Sequence, residues 1–335
     1  MIAHSTLQGI LERAPELSIA LIGDLFLDRY LEIAAGVHED SIETGLEAYQ
    51  IDRVRNSPGA LGTVMNNLAA FGVGKLIPVT VIGDDGHGYD LLKQLEAMPV
   101  DASCVVRSET RLTPTYTKPL RKVETGEPIE LNRLDVRNRH GLSQEETAAV
   151  IANLDKALAS ADGLIVMDQI NETNWGVVND PVRSRIEELC ASDEELVVFV
   201  DSRQHIGTFQ AGMLKGNDVE FCRATGIDDF QQASIAMARQ TNRLAYCTCG
   251  EKGILVAHPS GEVSMVAGFP VDGPVDIVGA GDSATSGIVT SLLCDVSPEE
   301  SATVGNLVAS ITVQQLGTTG TASPQQVLDR FAEVR

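Results

Sequence analysis

Short β-branched runs alternate with amphipathic stretches along this chain. Ser18 to Gly23, Leu76 to Ile82, Gly163 to Met167, Leu196 to Val200 and Leu244 to Thr248 read as buried strands. Helical patterns fit between them. One runs from Ser143 to Ala159, with Glu146 placed three residues after Ser143 as a capping box requires, and another starts at Asp180-Pro181 with proline in the first turn. This alternation predicts an α/β fold, a mostly parallel sheet with helices on both faces in a three-layer α/β/α arrangement. Two segments break the rhythm, Leu31 to Asn56 and Thr113 to Asp135, where period-two stretches such as Glu130-Leu131-Asn132-Arg133-Leu134 suggest antiparallel strands. The expectation is one domain over residues 1–335, with segments of about 31–56 and 113–135 forming a small β-sheet that folds over the site as a lid. No repeat or low-complexity tract is present.

Composition narrows the partners. Hydrophobic residues make up 43% and charged residues 21% of the 335, a globular balance. Against 47 acidic residues stand 25 Lys and Arg, a net charge of −22 that repels nucleic acid and anionic membrane surfaces. A phosphate-bearing ligand would therefore need local cations, backbone N–H groups and a bound metal. The six cysteines, Cys104, Cys190, Cys222, Cys247, Cys249 and Cys294, form no Cys-x-x-Cys pair, and no secretory pattern opens the chain, so reduced thiols in a cytoplasmic protein are expected. Cys247 and Cys249 lack clustered His partners and read as core rather than zinc ligands. The longest apolar runs, Ile19 to Ile22 and Leu196 to Val200 among them, fall far short of the roughly 20 residues of a membrane span.

The stretch Asp276-Ile277-Val278-Gly279-Ala280-Gly281-Asp282-Ser283, followed by an apolar run from Ile288, reads as a small-residue loop opening a helix. Gly279, Ala280 and Gly281 leave backbone N–H groups uncovered, an anion hole for a transferring phosphoryl group. Asp282, at the mouth of the same helix, is placed to accept a proton from an attacking hydroxyl. Taken by itself, the loop equally suits a tight turn capped by Asp282.

This loop resembles the second signature of the pfkB or ribokinase-like carbohydrate kinases, Asp-Thr-x-Gly-Ala-Gly-Asp, with Ile277 at the Thr position. The resemblance extends over nearly the whole chain and is closest to the heptose-phosphate kinases. It implies a ribokinase-like fold, ATP and Mg²⁺ as cofactors, and phosphorylation of a hydroxyl of a sugar or sugar phosphate. In Leu21-Ile22-Gly23-Asp24 and the residues after it, Asp24 is implied to bind substrate hydroxyls; Asp28 either does the same or pairs with Arg29 on the surface. Pro58-Gly59-Ala60-Leu61-Gly62-Thr63 resembles the first signature, with Ala60 for the second Gly and Thr63 for Asn, so Gly59 and Thr63 are substrate candidates or simply a turn and a helix start. Asp85 reads as a helix cap. Lys118, Arg121 and Arg133 of the lid are candidate phosphate partners or solvated strand charges.

Asp168, after its strand, is a further substrate candidate, and Asp201 takes the matching position after the next. Lys215-Gly216-Asn217-Asp218-Val219-Glu220 resembles the family's Lys-Pro-Asn-x-x-Glu, implying that Asn217 and Glu220 hold a hydrated Mg²⁺ through water; a plain helix start is the other reading. Thr248, Gly250 and Gly253 match its nucleotide turn, and Asn306 with Gly317-Thr318-Thr319-Gly320 falls where the family closes over adenine.

Gly72-Val73-Gly74-Lys75 lacks the glycine spacing and the Ser/Thr of a P-loop, and no Gly-x-Gly-x-x-Gly follows the first strand, which excludes Walker NTPases and Rossmann dehydrogenases. Ala60, Thr63 and Ile277 leave a second reading open, a catalytically inactive kinase-like sensor of nucleotide or sugar. Strands of the lid are also expected to permit a homodimer.

Overall fold

The computed structural model describes residues 2–123, 128–317 and 319–334. Its strands in chain order are β1 (Ser18–Gly23), β2 (Leu25–Ile33), β3 (Ile51–Ala60), β4 (Lys75–Gly83), β5 (Val105–Ser108), β6 (Thr115–Arg121), β7 (Ile129–Glu130), β8 (Leu134–Val136), β9 (Gly163–Asp168), β10 (Val197–Ser202), β11 (Met213–Asn217), β12 (Ala245–Thr248), β13 (Gly253–Ala257) and β14 (Val263–Ala267). Nine of them form one sheet in the order β14-β13-β12-β11-β10-β9-β1-β4-β5, parallel except for the antiparallel pairs of β13 with β12 and β14.

All five strands predicted from apolar runs are present in this sheet. Strands β5, β11, β13 and β14 are additional. Strand alternation splits the core between two faces. Ile22, Val79, Val166, Val200 and Leu214 pack with helices Gln144–Leu158, Asp180–Ser192 and Phe230–Thr241 on one side. Leu21, Ile165, Met167, Phe199 and Tyr246 pack with helices Leu61–Phe71 and Ala280–Leu292 on the other. Helix Gln144–Leu158 starts at the capping box predicted for Ser143 and Glu146, and Asn179 caps Asp180–Ser192 with proline in its first turn.

The two inserted segments do build one small sheet, ordered β3-β2-β6-β7 with β8 also on β6. Two expectations about it need correction. It is not wholly antiparallel, because β2 pairs with β6 in parallel register from Leu27 opposite Thr115 to Ile33 opposite Arg121. Its strands also start earlier: β2 leaves β1 after Asp24 alone and continues from the main sheet without a helix. Residues 34–50 form no strand beyond an isolated bridge between Asp40 and Glu47. Residues 124–127 of the second segment lie outside the described residues. Among the described residues, no helix is long and apolar enough to cross a membrane.

Candidate active site

Open parallel sheets bind ligands at the C-terminal strand ends, and here those ends carry Asp24, Asp168, Asp201, Lys215, Asn217 and Thr248. Register decides which of them meet. Asp201 is the partner of Lys215 across β10 and β11, and Asn217 of Thr248 across β11 and β12. Asp201 and Asp168 follow Phe199 and Met167 by two residues and by one, so they turn to opposite faces.

Helix Ala280–Leu292 points its N-terminus at this edge. Gly279 stands at its N-cap with φ +81° and no side chain caps the helix, although the Ala280 N–H donates to the Ile277 carbonyl at 3.2 Å. Thr63 brings helix Leu61–Phe71 to the same loop: its methyl lies 3.6 Å from where a Cβ on Gly279 would stand. A Cβ on Gly281 would meet Lys215 Nζ at 2.9 Å. Half-buried Asp282 has no hydrogen-bond partner among the described residues. Burial raises its carboxyl to about 7, with Asp201 adding to the shift and Lys215 and Arg203 opposing it.

A second acidic centre lies across the cleft. Asp24 Oδ1 accepts the Val177 N–H at 2.9 Å, while buried Oδ2 has no partner. Burial raises Asp24 to about 7, against the Val177 bond and Arg111 and helped by nearby Asp168. Asp168, raised by burial to about 6, accepts a hydrogen bond from Ser202 Oγ at 2.8 Å. Asp24 lines a concavity with Phe26, Arg111, Tyr116, Arg137 and Arg203. Arg203 thus borders the Asp24 pocket and also acts on Asp282, which ties the two centres into one cleft.

The face of the small sheet that borders this concavity carries Phe26, Asp28 and Tyr30 from β2, opposite Tyr116 and Lys118 of β6. Lys118 Nζ lies 3.5 Å from Asp28 Oδ2 and 3.3 Å from Tyr30 Oη. Burial works to lower the Lys118 ammonium, but Asp28 and Tyr30 outweigh it and the net shift is upward. Asp28 therefore pairs with Lys118, while Arg29 turns away toward Asp90 at 3.9 Å. A Cβ on Gly59 would sit 3.0 Å from the Asp28 carboxyl, so this glycine makes room for the pair. Arg121 binds Glu47 and Tyr49 on the rim, and Arg133 binds Asp135 while lying 4.1 Å over the Tyr116 ring.

Several candidates have local duties. Asn217 and Glu220 form a reciprocal capping box on helix Asp218–Thr225, each side chain accepting the other's backbone N–H at 2.8 Å. Asn217 thus ends β11 and caps the helix, the plain helix start of the other reading, and Glu220 Oε1 keeps no partner among the described residues. Thr248 Oγ1 is 3.4 Å from the Gly216 carbonyl. Gly250 has open space around its Cα, as a loop approaching phosphates needs, whereas a Cβ on Gly253 would run 2.1 Å from the Val266 carbonyl, so hairpin packing fixes that glycine. Asn306 donates to the Val266 and Ala267 carbonyls, tying its helix to β14. Thr318 lies outside the described residues. Asp85 caps helix Gly86–Leu95 as expected. Lys215, Arg111, Arg137 and Arg203 were not nominated from sequence as site residues; the lysine heading the Lys215-Gly216-Asn217 segment was the available signal for Lys215.

Ala60 departs from the first signature without breaking its turn. It adopts φ +53°, ψ −115°, a conformation natural to glycine. Ala60→Gly is expected to stabilise the protein by about 1 kcal/mol in chemical denaturation; an unchanged or lower midpoint would mean the turn is unstrained.

A nine-stranded, mostly parallel sheet with helices on both faces and a second, smaller sheet continuing from its β1 end define a ribokinase-like α/β fold. The chain belongs to the pfkB family of carbohydrate kinases, whose model matches residues 33–326. The bifunctional protein HldE of Gluconacetobacter diazotrophicus is 28% identical over 320 residues, covering 93% of this chain and 63% of that protein. This chain therefore spans less than two thirds of that relative. Among solved structures, Arabidopsis thaliana ribokinase complexed with ribose and ATP superposes with a TM-score of 0.65 at 17% identity, covering 94% of this chain and 98% of that one. An Escherichia coli protein of ribokinase II type in complex with ATP and Mg²⁺ gives 0.67 at 13% identity, with 95% and 99% covered.

Proposed function

We propose that this chain transfers the γ-phosphoryl group of ATP to a hydroxyl of a sugar phosphate, with Asp282 as general base. The observation that carries this reading is the unpartnered Asp282 carboxyl at the uncapped N-terminus of helix Ala280–Leu292. Asp24 Oδ2 accepts a hydrogen bond from a substrate hydroxyl and so orients the sugar. The N–H groups of Gly279 and Gly281 face the charge that develops on the transferring phosphoryl oxygens, and that of Ala280, which donates to the Ile277 carbonyl at 3.2 Å, is shared with it. Asp282 takes the proton of the attacking hydroxyl, and the lid excludes water.

Mg²⁺ suits the donor set. Among the described residues no group of three metal-ligating side chains converges, so a hard cation here would keep its waters and phosphate oxygens, with Glu220 Oε1 free to orient one of those waters. Bound with ATP, it would neutralise phosphate charge. Asn217 then acts by holding Glu220 in place through the capping box.

The substrate phosphate is read chiefly from Arg203, since Arg111 is committed to the carbonyls of His140, Gly141 and Trp175, and Arg137 donates to Tyr116 Oη and lies 3.9 Å from Asp135. Arg203→Ala should raise the KM for a sugar phosphate roughly 10- to 100-fold while sparing any free-sugar activity; an equal loss on both would detach Arg203 from phosphate recognition. The test of the activity itself is ADP release from Mg-ATP across sugars, sugar phosphates, heptose 7-phosphate among them, and nucleosides. Silence across that panel despite ATP binding would favour a sensor.

The pH profile follows from the base. Asp282 must be ionised to act, and its ionised fraction falls as pH drops through about 7. Below that value kcat/KM should decline by roughly tenfold per pH unit; a flat profile between pH 5.5 and 7.5 would contradict the assignment.

A lid-to-lid homodimer also has support. Register places exposed Ile51, Val54, Ile129 and Leu134 on the lid face turned away from Asp28. Val54→Glu should convert a dimer to a monomer in light scattering; a wild-type monomer would remove the proposal.

A further inference from the structure

At the ends of β10 and β11 lies an ion pair that substrate and nucleotide roles leave unused. Asp201 and Lys215 are register partners on adjacent strands, with Lys215 Nζ 2.5 Å from Asp201 Oδ2. Each follows by two residues a side chain packed on the face of helix Ala280–Leu292, Phe199 and Met213 respectively, so alternation turns both toward that helix. Lys215 is 6% and Asp201 7% exposed. Burying two charges is costly, and an apolar pair of similar volume would join the strands at least as well. Their location supplies a reason for keeping them. The ammonium lies directly against the loop that carries Asp282, 2.9 Å from where a Cβ on Gly281 would stand.

We propose that Lys215 and Asp201 are a positioning pair for Asp282. Lys215 supplies the fixed positive charge that keeps the half-buried carboxylate ionised before the hydroxyl proton reaches it, and Asp201 aims that charge and tempers it. The proposal rests on Asp282 being the base. Asp282 is faced by Asp201 from β10, Lys215 from β11 and Arg203 from the turn after β10; Lys215 in turn is faced by Asp201, Asp282 and Glu220. Arg203 also acts on Asp282 but is exposed and screened by water, so the larger charge acting through protein is that of Lys215. During transfer the proton passes from the substrate hydroxyl to the Asp282 carboxylate as the hydroxyl oxygen bonds to phosphorus and ADP leaves, while Lys215 and Asp201 keep their charges. An ordinary strand-to-strand ion pair would make no demand on Asp282.

Carboxyl ¹³C NMR of the full chain labelled at aspartate separates the two cases. The Asp282 signal is identified by its loss in Asp282→Asn. Lys215→Met should move the Asp282 midpoint up by about one unit or more, and Asp201→Asn should move it down, with the acid limb of kcat/KM following each. The Asp24 signal, facing Arg111 and Asp168 instead, should stay in place as an internal reference. Asp201→Asn keeps the side-chain shape, so it decides the matter even if Lys215→Met does not fold. An Asp282 midpoint unmoved in Asp201→Asn, with only thermal stability lowered, overturns the positioning role. Near wild-type turnover in Asp282→Asn would instead overturn the base assignment, an outcome the kinetics report separately.

Discussion

Replacing Asp282 by asparagine is expected to lower kcat by about 10²- to 10⁴-fold, the usual worth of a positioned general base, with little change in Mg-ATP affinity. Asparagine keeps the size of the side chain and leaves the helix N-terminus open, since Asp282 makes no hydrogen bond among the described residues that the change would break. The proposed anion hole at the Gly279–Gly281 loop should therefore still bind phosphate, and the loss should appear in kcat without a matching rise in the KM for ATP. Isothermal titration with a non-hydrolysable ATP analogue, run beside steady-state kinetics, checks both halves. If ATP affinity collapsed along with turnover, the carboxylate would be organising the loop rather than taking the proton. If turnover survived, another of the raised acids would have to serve, and Asp24 is the one of similar character.

What the sequence disclosed about this site follows from the range of each interaction. Strands buried on both faces announce themselves as apolar runs, which is why β1, β4, β9, β10 and β12 were legible. Strand β11 was not, because Lys215, Gly216 and Asn217 interrupt its pattern with the residues that serve the site and the capping box. Gly216, standing where the family carries proline, has a reason visible only in three dimensions: a Cβ there would press within 2.6 Å of the Phe221 ring. Capping boxes are local and were read correctly at Ser143, whereas the same chemistry at Asn217 was overshadowed by the metal role that the resemblance implied. The small sheet was located, but its parallel β2 and β6 pairing joins residues far apart in sequence, and no local pattern encodes that. The partners of charged residues were equally hidden. Lys118, by sequence a phosphate partner or a solvated strand charge, has Asp28 and Tyr30 packed beside it, and Arg203 gained its position from the turn after β10.

Asp24 carries the second large expected effect, and it separates function from stability. Asp24→Asn keeps an oxygen to accept the Val177 N–H but replaces a charged acceptor for the substrate hydroxyl by a neutral amide. Hydrogen bonds to charged groups are worth roughly 1.5–3 kcal/mol, so the KM for the sugar substrate should rise about 10- to 150-fold while that for ATP stays nearly constant. Stability should move the other way. The carboxyl is raised from 3.8 to about 7 in the folded protein, so the native state binds the proton more tightly than the unfolded chain does. Its contribution is thus fully favourable below the unfolded value and is lost as pH rises toward 7, at a cost of at most roughly 4 kcal/mol. Asparagine cannot ionise, so Asp24→Asn should raise the melting temperature at pH 8 and leave it almost unchanged at pH 4. A buried acid with an unsatisfied oxygen is destabilising in the empty protein and becomes useful once a hydroxyl reaches it. If the variant melted lower at pH 8, Asp24 would be a structural anchor for the Val177 turn and the substrate role would need another acceptor, for which Asp168 is the nearest candidate.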